Sequence, residues 1–176
     1  VIPAAIDQDP YWRIQRDIAE KFGHRKTAAI HSKFIPALTG PEGKMSSSKP
    51  ETAIMLDDSP EQVEEKVKKH AYSGGGDTLA EHREQGADLS VDTSFQWLRN
   101  LLLEDDERIL EIAEKYSSGE MLTGEIKEIL IEELNQFLEE HQNRKKNADD
   151  VVEKMMYEGD LAQEMWDRNI DLQLDG

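Results

Sequence analysis

The sequence predicts an α/β unit that gives way, near residue 58, to a bundle of helices, and three observations carry this. Short apolar runs at residues 1–6 and 27–30 flank a segment whose apolar residues recur at helical spacing, the pattern of a right-handed strand, helix, strand unit of a doubly wound sheet. Beyond residue 58 the apolar residues keep the helical period. Between the two regions lies a Gly/Ser/Pro-rich stretch, LTGPEGKMSSSKP at residues 38–50, whose order no core packing requires.

The elements follow in order. VIPAAI, residues 1–6, suits a buried parallel strand, with Pro3 marking an edge or irregular start. Asp9 is placed to cap a helix and Pro10 suits its first position; Tyr11, Ile14, Ile18 and Phe22 form one stripe, and Gly23 ends it. TAAI, residues 27–30, is the second strand. In such sheets ligands lie beyond the carboxyl ends of the strands, where Asp7, Gln8 and Asp9 fall. After the Gly/Ser stretch, AIML at residues 53–56 reads as a short buried segment. Ser59, Pro60 and Gln62 make a capping box; Val63, Val67 and Ala71 face inward until Ser73-Gly74-Gly75-Gly76 breaks the helix. Further helices are predicted at about 92–103 (Phe95, Leu98, Leu102), 106–116 (Ile109, Ile112, Ala113, Tyr116) and 124–157. In the last, Ile126, Ile129, Leu130, Leu134, Phe137, Leu138 and His141 share a face, Thr123 is the expected cap, and Asn147 divides off Ala148, Val151, Val152, Met155 and Met156. The tail past Gly159 is acidic, with scattered apolar residues Leu161, Met165 and Trp166.

A length of 176 residues suffices for one ordinary domain, or for a small domain plus part of another. Hydrophobic residues make up 37% and charged residues 34%, so a core is expected beneath a very polar surface. The net charge of −17 excludes general electrostatic binding of nucleic acid, which needs clustered Lys and Arg; any RNA contact must be local. The acids are spread over most predicted helices, which favours a solvated carboxylate surface, as in saline cytoplasm, over one partner-binding patch. The chain has no cysteine, which removes disulfides and thiolate metal sites, and His24, His31, His70, His82 and His141 show no ligand spacing, so no protein metal site is expected. No apolar run approaches the roughly 20 residues that span a bilayer and no signal-peptide pattern is visible, so a cytoplasmic protein without membrane association is expected. Val1 opens inside a strand-like run, as though a segment preceded it.

The Gly/Ser stretch carries the chemistry. Gly43, Lys44, Met45, Ser46, Ser47 and Ser48 supply backbone N–H groups, hydroxyls and one cation, the donors that hold phosphate oxygens. It is not a Walker A loop: only two residues separate Gly40 from Gly43, and Met45 stands where a Ser or Thr must follow the lysine. A solvated Ser/Gly linker is the alternative.

GKMSSS resembles the KMSKS signature loop of class I aminoacyl-tRNA synthetases, in the form where Ser or Ala replaces the second lysine. AIDQDPYWR (residues 5–13), HSKFIPALTG leading into GKMSSS, KHAYSGGGDT and SGEMLTGEIK extend the likeness, and together they resemble tryptophanyl-tRNA synthetases of the archaeal and eukaryotic cytosolic type, in order from Val1 to about residue 157. The resemblance implies the second half of a class I Rossmann-type catalytic domain with its KMSSS loop at residues 1–57, followed by a mainly α-helical anticodon-binding domain at residues 58–176. It implies activation of tryptophan with ATP to tryptophanyl-adenylate and transfer to tRNA(Trp), by a protein that forms a homodimer through its catalytic domain.

The resemblance also implies roles. Lys44 matches the loop lysine that contacts the ATP phosphates, and Ser46 and Ser48 match the loop serines; Met45 and Ser47 complete the ATP-binding loop. Ser47 replaces the second lysine of the broader class, which leaves more phosphate charge to Mg²⁺ arriving with ATP; Lys49 could assist. Gln8 matches the residue that contacts tryptophan, with a helix-capping amide as its alternative. Arg13 either reaches phosphate or pairs with Asp17 at i,i+4. Asp77 matches the Asp of an Arg-Asp pair that reads the first anticodon base, and Gly76 stands where human-type sequences have the Arg. Arg144, Lys145 and Lys146, the one dense basic cluster, either meet tRNA phosphate or simply favour a helix C-terminus.

The HIGH-type motif of the class has no counterpart around any of the five histidines, so this chain is expected to be the C-terminal portion of an enzyme and inactive alone. Tyrosyl-tRNA synthetase shares the fold and the loop, and the AIDQDPYWR turn argues against it. The remaining alternative is a non-catalytic acidic helical module that binds a partner through residues 92–157.

Overall fold

The structure, a computed structural model, describes residues 1–41, 49–156, 159–160 and 163–164. Strands β1 (Ile2–Ala5) and β2 (Ala29–Ser32) pair in parallel, with Ile2 opposite Ala29 and Ala5 opposite Ser32. Helix α1 (Asp9–Ala19) makes the crossover, so the strand, helix, strand unit is present as expected. β2 starts two residues later than predicted, and the Thr27 N–H donates to Gln15 Oε1 (3.3 Å) on α1. Asp9 is not the cap. A single 3-10 turn, Ile6–Gln8, leads into α1, and Asp9 is the first helical residue, where a carboxylate favours the positive end of the helix dipole. The helix tightens into a second 3-10 turn, Glu20–Phe22, and Gly23 closes it at φ 73°, a left-handed conformation that a residue without Cβ adopts readily. The stripe of Tyr11, Ile14, Ile18 and Phe22 lies on exposed surface, each residue at least 41% accessible.

The second region is helical throughout. Helix α2 (Pro60–His70) opens on the predicted capping box: the Gln62 N–H donates to Ser59 Oγ (3.3 Å) and the Ser59 N–H to Gln62 Oε1 (2.8 Å). Its Val63, Val67 and Ala71 face are buried, as their spacing requires. Helix α3 (Leu79–Gln85) was not expected, although Thr78 and Glu81 form a second capping box and Gly86 follows at φ 70°. Helix α4 (Thr93–Trp97) is capped by Asp92 and continues as a π-helical turn, Leu98–Leu102, where one continuous helix was predicted. Helix α5 (Asp106–Ser117) starts on Asp105. Helix α6 (Thr123–Lys146) begins at Thr123 itself, whose hydroxyl is bonded elsewhere; Glu125 Oε2 accepts the Leu122 N–H (2.7 Å) in place of the expected Thr123 cap. Asn147 separates α6 from α7 (Asp149–Met155), as predicted.

The core lies where α2 and α4 pack on α6. Val63 and Val67 join Ile126, Leu130, Leu134 and Leu138 in one cluster, closed by Phe95, Trp97, Leu98, Ile112 and Tyr116. Each fully buried aliphatic or aromatic side chain contributes about 1.5–3 kcal/mol. Leu38, from the stretch just before the Gly/Ser loop, is fully buried in the same cluster, which ties that loop to the helical region. Among the described residues no helix is long and apolar enough to cross a membrane.

Candidate functional site

Three places gather the residues singled out in the sequence. At the first, the carboxyl ends of β1 and β2 meet the start of α1. Asp9 Oδ2 accepts from Arg13 Nη2 at 2.6 Å, while Asp9 Oδ1 lies 3.6 Å from His31 Nε2 and 3.9 Å from Arg16 Nη2. Arg13 therefore pairs one turn backward with Asp9, and the alternative pairing with Asp17 is corrected. The geometry follows from the parallel register: Ala4 lies opposite His31, so the imidazole of β2 stands beside the first turn of α1. Gln8 is exposed and occupies the cap position, yet its side chain makes no capping hydrogen bond, which removes the capping-amide alternative. Asp9 as the common partner of three basic side chains escaped the sequence reading. Its spacing to Arg13 was a legible signal; its spacing to His31 was not.

At the second place, both stems of the Gly/Ser loop are clamped. The Tyr72 N–H donates to the Leu38 carbonyl (2.9 Å), Thr93 Oγ1 donates to the Ala37 carbonyl (3.3 Å), and Trp97 Nε1 donates to the Pro36 carbonyl (2.8 Å). Gly40 sits at φ 109° against the Tyr72 ring, where a Cβ would approach Cγ to 3.0 Å. On the returning side Lys66 Nζ donates to both Asp58 carboxylate oxygens (2.6 and 2.7 Å) and to the Ala53 carbonyl (3.0 Å), while Asp58 Oδ2 also accepts the Met55 N–H (2.8 Å). Gln142 Nε2 donates to the Leu56 and Asp58 carbonyls (3.1 and 3.2 Å). Residues 36–38 and 53–58 are thus held by side chains of the helical region and by the backbone N–H of Tyr72. Lys44, Met45, Ser46, Ser47 and Ser48 lie outside the described residues. Lys49, at the stem, has its carbonyl bonded to Thr52.

The third place is the turn after α2. Gly76 and Asp77 are exposed, immediately before the Thr78 cap of α3. A Cβ on Gly76 would come within 2.8 Å of the His82 amide nitrogen and 2.9 Å of Glu81 Cβ, so the backbone here is packed against α3 as only glycine permits. Beneath the turn lies a buried polar cluster that sequence reading missed. Asp92 Oδ2 accepts the Gly74 N–H (2.9 Å) and the Tyr116 hydroxyl (2.7 Å), and Asp92 Oδ1 accepts the Phe95 N–H (2.9 Å). Ser73 Oγ lies 3.0 Å from Thr123 Oγ1, which lies 3.2 Å from the Tyr116 hydroxyl. Burial, aided by the Asp92 charge, pushes the Tyr116 phenol up to about 12, because the phenolate would be both desolvated and repelled. Arg144 pairs with Glu140 (3.1 Å) in the last turn of α6, with Lys145 and Lys146 exposed beside it. Among the described residues no group of three or more His, Asp or Glu side chains is placed to hold a metal.

The family model described as tRNA synthetases class I (W and Y) matches residues 2–139. The chain is 58% identical to the tryptophan–tRNA ligase of Saccharolobus solfataricus over 168 residues, 96% of this chain and 44% of that protein. It is 54% identical to the tryptophan–tRNA ligase of Pyrococcus abyssi over 176 residues, all of this chain and 46% of that one. Among solved structures, tryptophanyl-tRNA synthetase from Giardia lamblia superposes with a TM-score of 0.78 at 44% identity, over 84% of this chain and 36% of that chain. The enzyme from Aeropyrum pernix gives 0.76 at 35% identity, over 83% and 40%. The chain spans less than half the length of these relatives. With the family model matched over most of its length, the chain belongs to the class I tRNA synthetases of the tryptophan and tyrosine type.

Proposed function

We propose that the chain is the C-terminal portion of a tryptophan–tRNA ligase, with the second half of the Rossmann-type catalytic domain in residues 1–57 and an anticodon-binding domain in residues 58–176. The observation that carries this reading is 58% identity, over 96% of the chain, to a relative of that name. The clamped stems at 36–38 and 53–58 add physical support, since a phosphate-binding loop works only if its ends are held.

In the reaction the tryptophan carboxylate oxygen attacks the α-phosphorus of ATP, the bond to pyrophosphate breaks, and tryptophanyl-adenylate forms. A ribose hydroxyl at the 3′ end of tRNA(Trp) then attacks the activated carbonyl and AMP leaves. Lys44 meets the negative charge that develops on the phosphates, and Ser46 and Ser48 donate hydroxyl hydrogen bonds, with Met45 and Ser47 as further ATP-binding residues. Mg²⁺ enters with ATP as part of the substrate. Gln8, its amide not engaged in capping, orients the amino acid; Arg13, held by Asp9, is the phosphate contact. Asp77, with Gly76 before it, accepts from the exocyclic amine of cytosine at the first anticodon position. The full protein is a cytoplasmic homodimer in this reading.

ATP–pyrophosphate exchange by the full-length protein, with tryptophan and tyrosine in parallel, tests it. Exchange with tryptophan, absent with tyrosine, and reduced by orders of magnitude in Lys44→Ala with tryptophan binding retained, is the expected result. Exchange with tyrosine, or a silent Lys44→Ala, overturns it, and no exchange with either amino acid favours a non-catalytic module. The isolated 176-residue chain is expected to show no exchange.

A further inference from the structure

The buried cluster under the Ser73–Asp77 turn joins the turn to Asp92, Tyr116 and Thr123, up to 50 residues further along the chain, and its bonds fall on consecutive residues of the turn. Ser73 Oγ meets Thr123 Oγ1 at 3.0 Å and accepts the Gly75 N–H at 3.0 Å. The Gly74 N–H donates to Asp92 Oδ2 (2.9 Å), and the Gly74 carbonyl accepts the Asp88 N–H (2.9 Å). On the far side of Asp77 the chain is fixed at once by the α3 capping box. The buried partners are expensive to assemble: Asp92 and Tyr116 are at most 1% exposed, and a carboxylate so placed needs every donor it has. A bare helix terminator would need only a glycine. Here a buried carboxylate, a phenol and two hydroxyls define the backbone path of a three-residue glycine run, which has no side chains to define its own.

We propose that Tyr116, Asp92 and Thr123 are positioning residues for tRNA recognition: their hydrogen bonds to Ser73 and Gly74 hold the turn so that the Asp77 carboxylate is presented at one fixed place to the anticodon. This rests on the reading of Asp77 given above. The cluster converts a flexible glycine turn into a preorganised acceptor, so that base discrimination is not spent on ordering the loop.

The test compares aminoacylation, by the full-length protein, of the tRNA(Trp) transcript with that of a transcript carrying uracil in place of cytosine at the first anticodon position. Tyr116→Phe and Thr123→Val are expected to lower the ratio of the two kcat/KM values by roughly 3- to 10-fold, the range spanned by loss of one buried hydrogen bond. The loss should lie in KM for tRNA, and Thr123→Ser, which keeps the hydroxyl, should restore the ratio. Melting temperatures are read alongside. A lowered melting temperature with an unchanged ratio in Tyr116→Phe and Thr123→Val overturns the proposal and leaves the cluster a purely structural role. Asp77→Ala separates the two levels: if it abolishes discrimination while the cluster variants keep it, positioning alone falls; if it leaves discrimination intact, the anticodon reading of Asp77 falls, and this inference with it.

Discussion

Lys66 and Asp58 form a buried ion pair, Nζ lying 2.6 Å and 2.7 Å from the two carboxylate oxygens, that fastens α2 to the stem on the returning side of the Gly/Ser loop. Their side chains are 12% and 5% exposed, and each has its remaining capacity filled, Lys66 by the Ala53 carbonyl and Asp58 by the Met55 N–H. Removing one partner leaves the other charge buried. Asp58→Ala is therefore expected to destabilise by about 3–5 kcal/mol, and Lys66→Met combined with Asp58→Leu by much less, since an apolar pair of similar volume leaves no charge uncompensated. Thermal unfolding of the two variants checks this; equal losses would show that the pair acts only through shape.

Trp97 holds the other stem. Its indole N–H donates to the Pro36 carbonyl, and the side chain is buried. Trp97→Phe leaves that carbonyl without the donor and is expected to cost about 1–3 kcal/mol. If the stem fixes the ATP loop, KM for ATP in pyrophosphate exchange should rise more than KM for tryptophan. An equal rise in both would assign Trp97 to global stability.

Tyr116 titrates at about 12, above the tyrosine value of 10. Between those two values the unfolded chain has lost the phenolic proton and the folded chain has kept it, so the unfolded state binds fewer protons and stability falls as pH rises through the interval. Below pH 10 the contribution is fully present. Denaturant unfolding followed across this window should show a decline that Tyr116→Phe lacks, and the phenolate absorbance titration of the variant should lose the step near 12.

Gly76 cannot simply be replaced by the arginine of human-type sequences. A Cβ there meets the His82 amide nitrogen at 2.8 Å, backbone that has no rotamer by which to yield. Gly76→Ala is expected to cost about 1–3 kcal/mol by overpacking, and Gly76→Arg to leave tRNA KM no better than in the parent protein. A stable Gly76→Arg variant with tightened tRNA binding would show that α3 shifts to accommodate it.

Much of this chain was legible in its residues. The strand, helix, strand order, the Ser59/Gln62 capping box, the burial of Val63 and Val67 and the break at Asn147 all follow from local rules: apolar period, cap chemistry and glycine or polar interruptions act within a few residues. Helix α3 was legible in principle through Thr78, Glu81 and Gly86, but at 7 residues it carries too few apolar positions for periodicity to reveal it. The π-helical turn at Leu98–Leu102 was not legible, because its residues keep the helical apolar spacing that predicts one continuous helix.

By itself, then, the sequence determined most of the elements, their order and the Gly/Ser loop with Lys44 as a candidate for chemistry, since these depend on neighbours along the chain; Gln8 and Asp77 became candidates only through the family resemblance. The tertiary structure alone decided that Asp9 lies beside His31, that Lys66 meets Asp58, and that Asp92, Tyr116, Thr123 and Ser73 converge beneath one glycine turn. The physical reason is that a buried polar group must find its partner wherever the fold brings one, at any separation in sequence; the parallel pairing of β1 with β2 brings His31 to Asp9, and the packing of the helices brings the other groups together.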